Sequence, residues 1–232
     1  MSPVFKQAYV PDIRERSVAK ILSHLGHNGT IGGDIPWQNY TNNKRNYWGR
    51  MHAVLALESY AECSGTYAPN ATMKQAVEAA LLRHYQTMHT QVGSQQPPFW
   101  RDVWGSARYS EVLMGIQWMI DHGHSDAFLF DLLHLVRNNS NPVLHWEDWF
   151  TAGDPFADKT TDTIRCWGNK TDPAMREFQL HHGVTIMEAI KVGPAWYRVT
   201  GNKTERNNAA TALAWIDKYA RSVETICKHA CA

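Results

Sequence analysis

Apolar residues recur every three or four positions through most of this 232-residue chain, and polar or glycine-rich stretches break the rhythm. The spacing predicts helices over 11–25, 47–62, 72–90, 106–122, 125–137, 181–200 and 204–221. Pro11 opens the first and Gly26 closes it. In the second, Met51, Val54, Leu55, Leu57 and Glu58 share a face; in the third, Met73, Val77, Ala80, Leu81 and Tyr85 do. Over 181–200 the chain is apolar nearly all round, which predicts burial, and Pro194 is expected to kink or split that helix.

One unit repeats: a buried helix, an aromatic near its end, a glycine, a polar turn and another helix. Its ends read YAECSG at 60–65, WMIDHG at 118–123 and WYRVTG at 196–201. Glycine suits the left-handed position just past a helix. Residues 27–46 form a long irregular loop of a length usually tied to function or disorder. The only weak strand candidates lie near 30–35 and 143–150. The expected fold is all-α, with repeated helical hairpins stacked in an arc or ring. A closed ring of six hairpins requires about 12 helices and about 350 residues at common element lengths. This chain is therefore expected to form an incomplete (α/α)6 toroid. It is read as a single domain over 1–232, truncated on its C-terminal side, with 222–232 an irregular tail.

Composition narrows the function. Hydrophobic residues are 44% and charged residues 19%, as in a globular chain, and the net charge of +1 gives no field for nucleic acid or a membrane surface. No apolar run reaches the length of a membrane span. Six Asn-x-Ser/Thr sequons, at Asn28, Asn39, Asn70, Asn138, Asn169 and Asn202, exceed the one or two that chance gives at this composition. They point to an extracellular or secretory-pathway protein, whereas residues 1–17 lack the apolar core of a signal peptide. The chain is accordingly read as a piece of a longer secreted protein. Cys63, Cys166, Cys227 and Cys231 allow one or two bridges whose pairing is open.

Candidate chemistry gathers where loops enter helices. Asp34, Trp37, Trp48 and Arg50 form one group. Trp100, Arg101, Asp102, Trp104 and Arg108 form a second, and Trp146, Glu147, Asp148 and Trp149 a third. His181 and His182 open the helix at 181–200. Tryptophan rings stack on apolar sugar faces while charged groups hydrogen-bond hydroxyls, so carbohydrate is the expected partner. Each of these residues also has a plain core or surface reading. Glu224, Cys227, His229 and Cys231 have a metal-like spacing but lie in the terminal residues, where a local disulfide or a tail accounts for them as well. Phosphate-loop, Gly-x-Ser-x-Gly and His-Glu-x-x-His motifs are absent from the sequence.

Three segments resemble the β-L-arabinofuranosidase-type glycoside hydrolases of family 127 and their relatives. NKRNYWGRMHAVLALESYAECSG at 43–65 is similar to a Trp-Arg segment whose helix ends in Tyr-Ala-Glu-x-x-Gly. LFDLLHLVRNNSNPVLHWEDWF at 129–150 resembles a segment ending in Trp-x-x-Trp-Phe. HHGVTIMEAIKVGPAWYRVTG at 181–201 resembles the family's His-Gly-Val-Asn segment, with Thr185 in place of Asn. The resemblance implies a six-hairpin (α/α)6 barrel and hydrolysis of terminal L-arabinofuranose or a related sugar. It implies substrate contacts at His182 and His181, with Trp48, Arg50 and Trp149. It also implies, for a full-length member, zinc, an acid/base Glu and a cysteine nucleophile. None of these catalytic groups is matched in this chain, so its catalytic residues stay unassigned and whether it is an enzyme stays open. Two other readings remain: a non-catalytic carbohydrate-binding or scaffold protein on the same fold, and an unrelated α/α-toroid lyase or uronyl hydrolase.

Overall fold

The computed structural model describes residues 3–32, 47–63, 68–93, 108–139, 146, 150 and 183–220. These residues are mostly helical and contain no strand. The helices are α1 (Pro3–Leu22), α2 (Met51–Glu62), α3 (Ala71–Gly93), α4 (Ser110–Asp121), α5 (Ala127–Asn139), α6 (Gly183–Ala189), α7 (Val192–Thr200) and α8 (Lys203–Ala220). A single 3-10 turn, Trp48–Arg50, leads into α2. None of them is long and apolar enough to cross a membrane. The chain divides into two compact units, 1–96 with 115–135, and 97–114 with 136–232.

In the first unit α2 packs on both α1 and α3. Most of the face of α2 predicted from spacing is buried: Met51, Val54, Leu57 and Glu58 are, Leu55 is only partly so, and Tyr60 and Ala61 extend the face. The matching stripe of α3 runs Val77, Leu81, His84, Tyr85, Met88 and Val92. Tyr60 ties α2 to α1, its hydroxyl donating to Glu15 at 2.6 Å while Arg14 lies 5.2 Å from its ring centre. Burial first, then the Glu15 carboxylate, pushes the Tyr60 hydroxyl well above its usual pKa. At the far end of α2, Glu62 accepts from the Trp118 indole at 2.7 Å.

Two of the three glycines that close the repeated unit are described, and both take the left-handed conformation. Gly123 after α4 and Gly201 after α7 have φ of 89° and 71°, and Gly201 N–H donates to the Tyr197 carbonyl at 2.7 Å. Gly65 lies outside the described residues. Asparagine starts the next helix in two places. Asn70 Oδ1 accepts the Thr72 N–H at 2.8 Å before α3, and Asn202 Oδ1 accepts the Thr204 N–H at 3.0 Å before α8.

Several boundaries differ from the sequence expectation. Helix α1 runs through Pro11, forgoing one N–H bond, and stops at Leu22 rather than at Gly26. Helix α4 begins at Ser110 rather than at 106. Residues 30–32, read as a weak strand candidate, include a turn at 31–32. The predicted 181–200 helix is two helices, α6 and α7, with a break at 190–191. Pro194 has no N–H to give the Ile190 carbonyl, so it sits in the first turn of α7, where that donor is not needed. The all-round burial expected there also fails: Val184 and Met187, three positions apart on one face of α6, are half exposed.

In the second unit α7 packs closely on α8. The contact centres on Gly193. A Cβ there would overlap the carbonyl oxygen of Glu205 and stand 3.1 Å from Asn208 Cβ. The obstacle is backbone, which cannot swing aside. Gly193→Ala should therefore destabilise the chain by about 2 kcal/mol, read from urea or thermal unfolding. Gly183→Ala, where a Cβ meets nothing within 4 Å, should leave stability unchanged or slightly raised. Equal effects from the two would contradict the close crossing.

Candidate functional site

Buried polar groups gather in both units among the described residues. In the first, the loop after α1 is strapped to α3. Gly26 N–H donates to the Thr30 carbonyl at 2.8 Å, closing a tight turn in which Gly29 has φ 83°. The Thr87 hydroxyl donates to the Asn28 carbonyl at 2.6 Å, and the Ile31 N–H donates to His84 Nδ1 at 3.2 Å. His84 and Thr87, three apart, face the loop from the same side of α3. Because Nδ1 accepts a bond, the neutral ring carries its proton on Nε2.

Arg50 and Tyr47 complete this cluster. Tyr47 is fully buried, donates to Gln91 Oε1 at 2.6 Å, and has its ring centre 5.5 Å from that of His84. The Arg50 guanidinium lies 5.4 Å from the centre of the Tyr47 ring. Complete burial, and secondarily the Arg50 charge, pulls the His84 pKa from 6.5 down to about 3. His84 is thus a neutral anchor at physiological pH. It is not poised for proton transfer there.

Behind it, Tyr85 and Glu58 meet over Gly115. A Cβ on Gly115 would overlap the Tyr85 hydroxyl and stand 2.9 Å from Glu58 Oε1. Burial, then the neighbouring Glu58 carboxylate, raises the Tyr85 pKa well above 10. Tyr85 therefore stays protonated and donor-competent beside the buried carboxylate.

In the second unit a buried arginine organises α6. Arg108, 6% exposed, has its Nε 3.3 Å from Glu188 Oε2 and directs Nε and Nη2 at the Thr185 hydroxyl, each at 3.4 Å. The Ser110 hydroxyl donates to the Glu188 carbonyl at 3.0 Å, and the Lys191 ammonium donates to the Glu111 carboxylate. So 108, 110 and 111 hold 185, 188 and 191 across the α6–α7 break. Arg137 also lies 4.9 Å from the centre of the Trp196 ring, which joins the 129–150 and 181–201 segments. A threonine at 185 suits this setting: it is fully buried, and its hydroxyl accepts from Arg108.

The predicted contact residues fare differently. Arg50 joins the His84 cluster. Trp48 begins the 3-10 turn beside it, and only its backbone is described. His181, His182 and Trp149 lie outside the described residues; the histidines directly precede α6 in sequence. Asn39 and Asn169 also lie outside, whereas Asn28, Asn70, Asn138 and Asn202 are all exposed. Among the described residues no three His, Cys, Asp or Glu gather as a metal cage. Glu224, Cys227, His229 and Cys231, whose spacing is metal-like, lie outside the described residues.

Residue spacing gives no sign of the contacts made by His84, Tyr47, Glu188 and the Tyr85–Glu58 pair. Their one sequence signal is a polar residue on an otherwise apolar stripe, as at His84 between Leu81 and Met88. Comparison with protein-family models, with curated proteins and with solved structures gives no match to the chain.

The titration of His84 supplies a test. The unfolded ring takes a proton below about pH 6.5, while the folded ring refuses it until about pH 3. Its contribution to stability is therefore complete above the unfolded value and is lost as pH falls towards the folded one. Between pH 7 and 5 the protein should lose about 2 kcal/mol more than His84→Asn, which keeps an acceptor for Ile31 but cannot titrate. Denaturant unfolding at the two pH values measures this. Parallel losses in the two proteins would show that His84 is not a buried neutral anchor.

Proposed function

We propose that this chain is a secreted carbohydrate-active protein of the α/α-toroid type, and that its own residues recognise a sugar. Terminal L-arabinofuranose or a related sugar is the class assigned, by resemblance to the β-L-arabinofuranosidase-type hydrolases. The observation that carries the reading is the setting of the third family-like segment. Its α6 helix is fixed by the buried Arg108–Glu188 and Arg108–Thr185 contacts directly after His181 and His182 in sequence. A rigid element is the right support for a recognition pair, because positioning governs how much each hydrogen bond contributes.

His182 is assigned as the principal sugar contact, with His181 and Trp149 in the same unit. The resemblance further assigns Arg50 and Trp48 to sugar hydroxyls and an apolar sugar face. The mostly helical described residues and the packed α2–α3 and α7–α8 pairs support stacked hairpins as the architecture. No segment of the 232 residues matches the acid/base glutamate or the Glu-x-Cys zinc pair that the resemblance implies for hydrolysis. Recognition, rather than bond cleavage, is therefore the role given to these residues. That lack of a match equally favours the second reading, a non-catalytic carbohydrate-binding or scaffold protein on the same fold.

Calorimetric titration with a methyl L-arabinofuranoside is the test. The chain should bind it, and His182→Ala should weaken binding about tenfold, the effect of one lost hydrogen bond to a charged or well-oriented partner, without lowering the melting temperature. Unfolding of the variant would make His182 structural and remove it from the site. Binding unaffected by the substitution would do the same. No binding by the parent chain would overturn the sugar assignment.

A further inference from the structure

The sequons are alike in sequence and unlike in the fold. N-linked transfer joins asparagine Nδ2 to C1 of an oligosaccharide carried on a lipid diphosphate. The Nδ2–C1 bond forms, the bond from C1 to the phosphate oxygen breaks, the lipid diphosphate leaves with the electron pair, and Nδ2 gives up one proton. The transferase also reads the hydroxyl two residues on, so both side chains must be reachable. The asparagine Oδ1 takes no part and remains an acceptor.

At Asn70 and Asn202 both requirements hold. Asn70 and Thr72 are exposed, and so are Asn202 and Thr204. Their Oδ1 atoms cap α3 and α8, and a glycan on Nδ2 leaves those caps in place. At Asn28 the second requirement fails. Thr30 is 2% exposed, and its hydroxyl donates to Asn28 Oδ1 at 2.8 Å. The Thr87 hydroxyl and the His84 ring pin the same turn to α3. Asn138 is exposed, but Ser140 of its sequon lies outside the described residues.

We propose that Asn70 and Asn202 carry N-linked glycans in the folded protein and that Asn28 does not. This rests on the secretory reading given above. The test is the full chain expressed behind a cleavable secretion leader in a eukaryotic host, read by gel mobility before and after peptide N-glycosidase and by mass mapping of the asparagines. Thr72→Ala and Thr204→Ala, which spare the capping asparagines, should each remove one glycan step. Thr72→Ser and Thr204→Ser should keep it, and Asn28→Gln should remove none. A step lost with Asn28→Gln, or none lost with either alanine variant, would overturn the assignment, as would a secreted chain with no glycan. The sugar-recognition reading stands or falls separately, on the unglycosylated chain from a bacterial host. Native protein found inside cells and without glycan would sink the secretory reading itself.

Discussion

A polar group removed from water has to find its partner inside the protein, and here those partners decide where helices and loops meet. The clearest case is Arg108. A guanidinium that is nearly fully buried costs several kcal/mol unless it is answered. The answer comes from Glu188 and Thr185, so α6 has to lie where its first two turns reach position 108. Ser110 and Glu111 continue the match to the Glu188 carbonyl and to Lys191. The break between α6 and α7 is thereby held from the side as well as permitted by Pro194. In the other unit His84 does the equivalent for the loop after α1, with a neutral ring in place of an ion pair.

These clusters give the proposed function its physical basis. Apolar contact alone would fix α6 only loosely, since Val184 and Met187 on one of its faces are half exposed. The polar contacts are directional, and they fix the rotation of the helix as well as its position. The segment that follows two histidines is thus the more rigid for being polar on its inner side. Arg50, by contrast, belongs to a cluster that anchors a loop, and its assignment to a sugar adds a role to one it already has.

Much of the helical content was legible from spacing, because a buried face shows itself every three or four residues. The stripe of α2 and the glycine stops at 123 and 201 are cases. The break in the 181–200 stretch was legible in kind, from Pro194, but not in place. A proline is tolerated in a first turn, so it marks a helix start a few residues downstream of the gap itself. Pro11 misled for the opposite reason, since a helix can run through a single missing donor. The partnerships of Arg108 with Thr185 and of His84 with Ile31 join residues far apart in the chain. Local periodicity reports which face is buried and carries no information on what buries it. His84, between Leu81 and Met88 on the buried stripe, shows nothing of its partner in the sequence for that reason.

The proposed function requires that the stretch opening with His181 and His182, directly before α6 in sequence, meets the sugar. Hydrogen exchange read by mass spectrometry, with and without a saturating L-arabinofuranoside, addresses it most directly. The account predicts slowed exchange in peptides covering His181–Glu188. Unchanged exchange there, with the ligand bound and protection elsewhere in the chain, would contradict it.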